Sequence, residues 1–143
     1  MLLLSISFSQ VRWEKLSFSD ACHKAAKENK IIMIKFYTDW CVPCKQIEKT
    51  IFTNDSEIVN YVNTKLIALS MNAETKGIEI AKRYDVAAYP TLLFINAAGE
   101  VIGKVVGTRS RDNYFQAIKT AGKSDIEYLN KMRKNSKKDK KSG

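Results

Sequence analysis

The stretch 36-FYTDWCVPCKQIEK-49 contains two cysteines, Cys41 and Cys44, that are separated by two residues. The isoleucine-rich run 31-IIMIKFYT-38 leads into it, and such a composition is typical of a central strand that is buried on both faces of a sheet. From Cys41 to Phe52 apolar residues recur every three to four positions, which predicts a helix. The cysteine pair is therefore predicted to lie where a buried strand ends and a helix begins. In α/β sheets, ligands and chemistry are usually found at this edge.

The spacing of the two cysteines suits redox chemistry. Side chains three positions apart on the first turn of a helix face the same side, so the two sulfurs can form a disulfide. Cys41 is predicted at the helix N-terminus, where free N–H groups and the helix dipole favour a thiolate. Pro43 fits an early helical position because its φ angle is fixed and it has no N–H to leave unpaired. We expect Cys41 to attack a substrate disulfide and Cys44 to resolve the mixed disulfide.

The rest of the chain alternates between helical and strand patterns. Helices are predicted at about 17–29, 41–52, 55–62, 76–84 and 110–118, and strands at 31–38, 65–71, 91–96 and 101–108. The turn 97-AAGE-100 predicts a hairpin between the last two strands. Strands that alternate with helices imply parallel pairs, and the hairpin adds an antiparallel edge. The predicted fold class is α/β, a three-layer α/β/α sandwich with a mixed central sheet.

Composition indicates a soluble globular chain whose basic character is concentrated at one end. The 143 residues fit one domain, and the formal net charge is +9. Residues 130–143 carry +6 of this charge, which leaves +3 for the other 129 residues. We expect a domain at 11–122, then, over 123–143, a helical stub and a disordered basic tail. Ser124 and Glu127 form a capping-box pattern for the stub. The tail has no aromatic side chains to stack on bases, so no specific nucleic-acid binding is expected.

The first ten residues, MLLLSISFSQ, are apolar and then small and polar. This order is similar to the end of a signal peptide, although no basic segment precedes it, and a short strand is the alternative. Residues 1–10 are therefore predicted to be the remnant of an export signal. Periplasmic or otherwise exported location is the expectation, with the cytoplasm as the alternative. No run approaches the ~20 apolar residues of a membrane-spanning helix.

The segment WCVPCK after a buried strand, together with 89-YPT-91 ahead of another strand, resembles the thioredoxin superfamily over about residues 13 to 122. The similarity is greatest to exported thioredoxin-like reductases, including the C-terminal domain of the disulfide reductase DsbD. The resemblance implies a thioredoxin fold and a protein-disulfide reductase with no metal or organic cofactor. It also implies a cis bond before Pro90. The residues implied for the substrate groove are Trp40, Val42, Pro43, Tyr89 and Pro90.

The sequence departs from thioredoxin behind the cysteines. Thioredoxins have a buried Asp six residues before the first cysteine, and Lys35 takes that position here. A lysine buried in an apolar strand needs a partner. We expect Glu48, four residues after Cys44, to pair with Lys35 and to accept the proton of the resolving cysteine. In the alternative, Lys35 extends into solvent and Glu48 is exposed. A protonated Lys35 would stabilise thiolates and make the couple more oxidising than thioredoxin.

Two other functions stay open from the sequence. Three cysteines and one histidine are a complete ligand count for structural zinc, but Cys22 and His23 are adjacent on a predicted helix and diverge by ~100°. Cys22 is expected to be a buried, inert thiol. A thioredoxin-like binding module without catalysis is the other alternative, although it needs no second cysteine. The expected partners of a monomeric enzyme are protein disulfides and an electron donor: a membrane disulfide reductase if exported, a thioredoxin reductase if cytosolic.

Overall fold

The computed structural model describes residues 9–141, except for the side chains of 124–132, 136 and 139. Most of the predicted export remnant, residues 1–8, lies outside this range. The helices are α1 (Phe18–Glu28), α2 (Val42–Ile47), α3 (Ser56–Lys65), α4 (Ile78–Arg83) and α5 (Arg111–Lys141), and a π-helical segment, Glu48–Thr53, continues α2. The strands are β1 (Ile31–Tyr37), β2 (Leu66–Asn72), β3 (Thr91–Ile95) and β4 (Val101–Val106). The order of helices and strands is the predicted one.

The sheet has the strand order β2-β1-β3-β4, so the isoleucine-rich β1 is central as predicted. Because side chains alternate along a strand, Ile31 and Met33 face one hydrophobic core and Ile32 and Ile34 face the other. The first core includes residues of α2, α3 and α5, and the second includes residues of α1 and α4. The three-layer α/β/α sandwich with a mixed sheet is therefore confirmed.

The pairing of the strands differs in one respect from the prediction. β1 pairs in parallel with β2, but β3 runs antiparallel to β1 although a helix precedes it. The connection of residues 73–90, which contains α4, returns to the edge of the sheet at which β1 and β2 end. This brings Thr91, which lies opposite Phe36, to the edge that carries the cysteines.

Helix α5 corrects the prediction for the C-terminal segment. The sequence predicts a separate helical stub near Ser124 and a disordered tail, whereas the structure has one helix from Arg111 to Lys141. Residues 123–141 contain no Gly or Pro and are rich in Lys, which is a good helix former. Ser124 has no orphan N–H groups to cap, because the helix already runs through it. Cations in the last turn are also favoured by the helix dipole.

Asp55 connects the start of α3 to the start of α5, and its replacement is the first testable change. Its carboxylate caps α3 by accepting the Ile58 N–H (3.1 Å) and also accepts from Arg111 Nε (2.6 Å). The Arg111 hydrogen bond lowers the pKa of Asp55 below 3.8. We expect Asp55→Ala to lose about 1–2 kcal/mol of unfolding free energy, mainly as the lost cap. Asp55→Asn keeps the cap and serves as the matched control.

The pH dependence separates the charge of Asp55 from its capping role. Because the folded pKa is depressed, the charge stabilises the fold above pH 3.8, and this contribution is lost as the pH falls through the folded pKa. Urea unfolding of the wild type and of both variants between pH 2 and 7 measures this contribution of the Asp55 charge to the free energy of unfolding. Equal stability of the wild type and Asp55→Asn at pH 7 would show that the Arg111 pair contributes nothing.

Candidate active site

Cys41 and Cys44 lie at the N-terminus of α2, as predicted. The two cysteines form a disulfide, and their Cα atoms are 5.3 Å apart. Cys41 is the N-cap residue of α2, and its Sγ accepts the backbone N–H of Cys44 at 3.2 Å. Pro43 occupies the first turn, where a missing N–H has no cost. The sulfur of Cys41 thus lies where a helix N-terminus favours negative charge.

The exposure of the site comes from the residues around the disulfide rather than from the sulfurs. Cys41 and Cys44 are only 2% and 4% exposed, so their burial does not show which cysteine attacks the substrate and which one resolves the mixed disulfide. The flanking Trp40 and Val42 are 66% and 60% exposed, although apolar side chains of this size are usually buried. Such exposed apolar side chains next to a reactive group are suited to contact a partner chain.

A hydrogen-bonded network holds Trp40 in front of the disulfide. Its Nε1 donates to Glu74 Oε1 at 2.6 Å, and its ring meets the ring of Tyr89 edge to face at 6.1 Å. Asn72, the last residue of β2, connects this pair to the loop before Cys41. Its Oδ1 accepts the Glu74 N–H at 2.9 Å, and its Nδ2 donates to Asp39 Oδ1 at 3.1 Å. We call Asp39, Asn72, Glu74, Trp40 and Tyr89 the front network.

Tyr89 and Pro90 lie directly before β3, and the peptide bond between them is cis. Pro90 is buried, Tyr89 is half-buried, and the Pro90 carbonyl accepts the N–H of Gly107 at 2.8 Å. The antiparallel direction of β3 places this pair at the same edge as the disulfide. The edge-to-face contact with Trp40 joins the pair to the front network. The structure therefore brings Trp40 and Tyr89, which the sequence singled out separately, into contact.

Glu74 was not predicted from the sequence, and its replacement tests the front network. In Glu74→Leu the indole N–H of Trp40 loses its acceptor, so Trp40 is no longer held. We expect KM for a protein disulfide to rise about fivefold with little change in kcat, since a net hydrogen bond contributes ~1 kcal/mol. Glu74→Gln retains a carbonyl acceptor and should lie close to the wild type. A wild-type KM in Glu74→Leu would show that Glu74 does not contribute to substrate binding.

Lys35 is buried behind the disulfide and paired with Glu48. The ammonium group donates to Glu48 Oε2, and the whole residue is only 4% exposed. Its Nζ lies 4.5 Å from the ring centroid of Trp13, 5.4 Å from that of Tyr37 and 5.8 Å from that of Phe52. The predicted pairing is confirmed, and the alternative in which Lys35 extends into solvent is wrong.

The environment of Lys35 has opposing effects on its charge. Desolvation by burial is the largest cause and lowers the pKa of Lys35 from 10.5. The hydrogen bond from Lys35 to Glu48 and the negative charge of Glu48 act in the other direction and raise that pKa. The charge on Lys35 therefore depends on Glu48 remaining in place.

Glu48 begins the π-helical segment, which the sequence predicted as part of a continuous α-helix. Apolar spacings of three and four residues do not distinguish the two helix types, and single π turns are frequent at functional sites. Glu48 and Lys35 line a cavity of about 690 Å³ that also has Cys44, Thr38, Tyr37 and Trp13 in its wall. The cavity joins the Lys35–Glu48 pair to the buried cysteine.

The third cysteine does not join the disulfide. Cys22 is partly buried rather than buried, and it lines a separate cavity together with Phe18 and Tyr84. Burial raises the pKa of the Cys22 thiol above 9.0, which disfavours the reactive thiolate. His23 is exposed. Among residues 9–141 with described side chains, no group of three His, Cys, Asp or Glu residues could hold a metal ion.

The family model of thioredoxin matches residues 11–120. The thiol:disulfide interchange protein DsbD of Yersinia pestis is 30% identical over 97 residues, which cover 66% of this chain and 16% of that protein. Thioredoxin H4 of Arabidopsis thaliana is 33% identical over 102 residues, 69% of this chain and 78% of that protein. The solution structure of a proposed disulphide-isomerase from Bacteroides thetaiotaomicron is 37% identical with a TM-score of 0.67, covering 83% of this chain and 95% of that one.

These similarities differ in extent. The chain spans only about 16% of the length of the DsbD relative, but most of the thioredoxin and of the Bacteroides protein. Within the matched residues lie the Cys41–Cys44 disulfide, the Trp40–Tyr89 contact and the Lys35–Glu48 pair. Because the thioredoxin model matches most of the chain and the match includes the disulfide at the start of α2, the chain belongs to the thioredoxin family.

Proposed function

We propose that this chain is a thiol–disulfide oxidoreductase that reduces disulfides in other proteins, with Cys41 as nucleophile and Cys44 as resolving residue. The observation that carries the assignment is the position of Cys41 Sγ at the N-cap of α2, where it accepts the Cys44 N–H. The same N–H and the helix dipole favour a thiolate on Cys41 once the disulfide is reduced. Cys44 has no such position, since it is the third residue of α2 and its own N–H is directed to Cys41 Sγ.

The reaction exchanges one disulfide for another and moves two electrons. The thiolate of Cys41 attacks one sulfur of the substrate disulfide, which breaks, and the other substrate sulfur leaves as a thiolate that takes up a proton. Cys44 then loses its proton and attacks the Cys41 sulfur of the mixed disulfide. The second substrate sulfur leaves as a thiolate and takes up the proton that Cys44 gave up. The substrate is now a dithiol, and the enzyme holds the Cys41–Cys44 disulfide.

Glu48 is proposed as the acceptor of the Cys44 proton, and Lys35 as the cation that holds Glu48 in place. Glu48 and Cys44 are four residues apart, one helical turn, and line the same cavity. A protonated Lys35 close to the cysteines would also favour their thiolates, and hence a more oxidising couple than one with a carboxylate at this position.

The proposed substrate groove consists of Trp40, Val42, Pro43, Tyr89 and Pro90. Trp40, Val42 and Pro43 are exposed beside the disulfide, and Tyr89 contacts Trp40. Exposed apolar side chains next to a reactive sulfur fit an extended segment of a substrate protein.

The DsbD relatives support an exported enzyme that receives electrons from a membrane disulfide reductase. A cytoplasmic enzyme supplied by a thioredoxin reductase is the alternative. No helix in the described part of the chain is long and apolar enough to cross a membrane. The enzyme is proposed to act as a monomer and without a cofactor, because the exchange needs only the two cysteines and a donor of electrons.

The reduction potential of the Cys41–Cys44 pair tests the direction of this reaction. The protein is equilibrated in glutathione and dithiothreitol buffers, and the oxidised fraction is read by mass spectrometry. A value near or below the ~−270 mV of thioredoxin supports the reductase, especially if insulin is reduced in the same buffers. A value near ~−120 mV would instead make the protein an oxidant and overturn the proposed direction.

A further inference from the structure

Trp13 lies outside every helix and strand, yet its side chain contacts the centre of the site behind the disulfide. It belongs to the segment before α1, in which no sequence pattern predicts a functional residue. Its Nε1 donates to Glu48 Oε1 at 2.9 Å. Its ring centroid lies 4.5 Å from Lys35 Nζ, and the rings of Trp13 and Phe52 meet edge to face with centroids 5.2 Å apart. One side chain therefore contacts both members of the Lys35–Glu48 pair.

The two oxygens of Glu48 have separate donors. Oε1 accepts from Trp13 Nε1, and Oε2 accepts from Lys35 Nζ. The Glu48 side chain is 36% exposed, whereas that of Lys35 is 6% exposed. A glutamate with this exposure has rotamers that extend into water and away from Lys35. The indole N–H of Trp13 opposes these rotamers, because it fixes the oxygen that Lys35 does not bind.

The charges around Lys35 show that the pKa of Lys35 depends on the position of Glu48. Tyr37, Asp39, Cys44, Lys45 and Lys49 are the other titratable residues in the cavity wall. The two lysines are exposed and of like charge, and the carboxylate of Asp39 is engaged by Asn72 in the front network. Glu48 is the carboxylate that Lys35 contacts. If Glu48 moves away, Lys35 stays buried, and no other carboxylate in the described cavity wall contacts it.

We propose that Trp13 is a positioning residue that holds Glu48 against Lys35 and thereby sets the pH range in which Cys44 gives up its proton. The inference rests on the proposed function in one point, the transfer of the Cys44 proton to Glu48. Its first part, the effect of Trp13 on the Lys35 pKa through Glu48, is a property of the folded chain. It can be measured whether or not the protein reduces disulfides.

The segment that carries Trp13 is fixed by backbone contacts that do not involve its indole. The Val11 N–H donates to the Phe52 carbonyl, and the Glu14 N–H donates to the Ala68 carbonyl, both at 2.8 Å. The Arg12 N–H donates to Asn63 Oδ1, also at 2.8 Å. A substitution at position 13 should therefore change the side-chain contacts and leave the path of the backbone. Trp13→Phe is the sharpest variant, because it keeps a ring over Lys35 and removes the N–H donor.

The experiment compares wild type, Trp13→Phe and the control Tyr61→Phe, a ring of the same core that lies outside the cavity wall. The pKa of Lys35 is read from the NMR shifts of its side chain in reduced protein labelled at lysine. The ionisation of Cys44 is read from the pH dependence of its alkylation in the same samples. Insulin reduction is measured separately. Trp13→Phe is expected to lower the Lys35 pKa further and to shift the pH profile of Cys44 alkylation, since the displaced Glu48 no longer offsets burial.

The outcomes separate this inference from the proposed function. If Trp13→Phe keeps the wild-type Lys35 pKa and the wild-type Cys44 profile, Trp13 contributes only packing and the inference is wrong. This holds even if the protein reduces insulin. A shift of the Lys35 pKa without a shift of the Cys44 profile would also overturn the proposal, because Lys35 and Glu48 would then not act on the thiol. If both shift in Trp13→Phe and neither shifts in Tyr61→Phe, the inference stands. It stands then even where the wild type fails to reduce insulin and the proposed function falls.

Discussion

Cys41→Ser is expected to abolish disulfide reduction, with a loss of about a thousandfold or more in the rate of insulin reduction. A serine hydroxyl is not ionised at neutral pH, so the position at the α2 N-terminus has no thiolate to stabilise. No other described cysteine can replace it. Cys44 is the third residue of α2 rather than its N-cap, and Cys22 lines a different cavity with a thiol whose pKa is raised by burial.

Cys44→Ser should have a different phenotype from Cys41→Ser, although both variants stop turnover. Cys41 still attacks the substrate, but nothing resolves the product, so the mixed disulfide accumulates. Mass spectrometry of the variant after incubation with oxidised insulin should therefore detect a covalent adduct that dithiothreitol releases. Cys22→Ser is the matched control and should turn over at the wild-type rate. An adduct on Cys41→Ser and none on Cys44→Ser would reverse the assigned roles.

The sequence was most informative where one physical constraint acts locally. The apolar run of β1 and the spacing after Cys41 are sufficient to place the cysteines at a strand–helix junction. The pairing of Lys35 with Glu48 followed from the cost of burying a charge without a partner. The first prediction depends on residues that are close in sequence. The second depends on a buried charge, which requires a partner of opposite charge.

The remaining features depend on how distant parts of the chain come together. The direction of β3 depends on the path of the connection that contains α4, and hydrophobic periodicity does not encode that path. Trp13 and Glu74 reach the site from irregular segments, where no period marks a buried or functional side chain. A search for donors near a buried ion pair could have suggested one of the two tryptophans, but only the fold shows that it is Trp13.

Glu48→Leu is expected to destabilise the fold by about 3 kcal/mol near neutral pH, the second largest effect that the structure predicts. The substitution leaves the buried ammonium group of Lys35 without its carboxylate partner. A buried charge without a partner destabilises the folded state strongly. Lys35→Met removes the buried charge instead. Glu48 then keeps the Trp13 N–H and access to water, so this variant should match or exceed the stability of the wild type.

The pH dependence identifies the cause of this loss. Glu48 raises the pKa of Lys35 against the effect of burial, so in Glu48→Leu that pKa falls further below 10.5. A lysine with a depressed folded pKa destabilises the fold fully below that pKa, and the penalty disappears as the pH rises towards 10.5. Urea unfolding should therefore show Glu48→Leu approaching the wild type as the pH increases from 7 to 10. The double variant Lys35→Met/Glu48→Leu should recover most of the loss at pH 7. A penalty that is constant with pH and persists in the double variant would show that Glu48 stabilises the fold by packing rather than by charge.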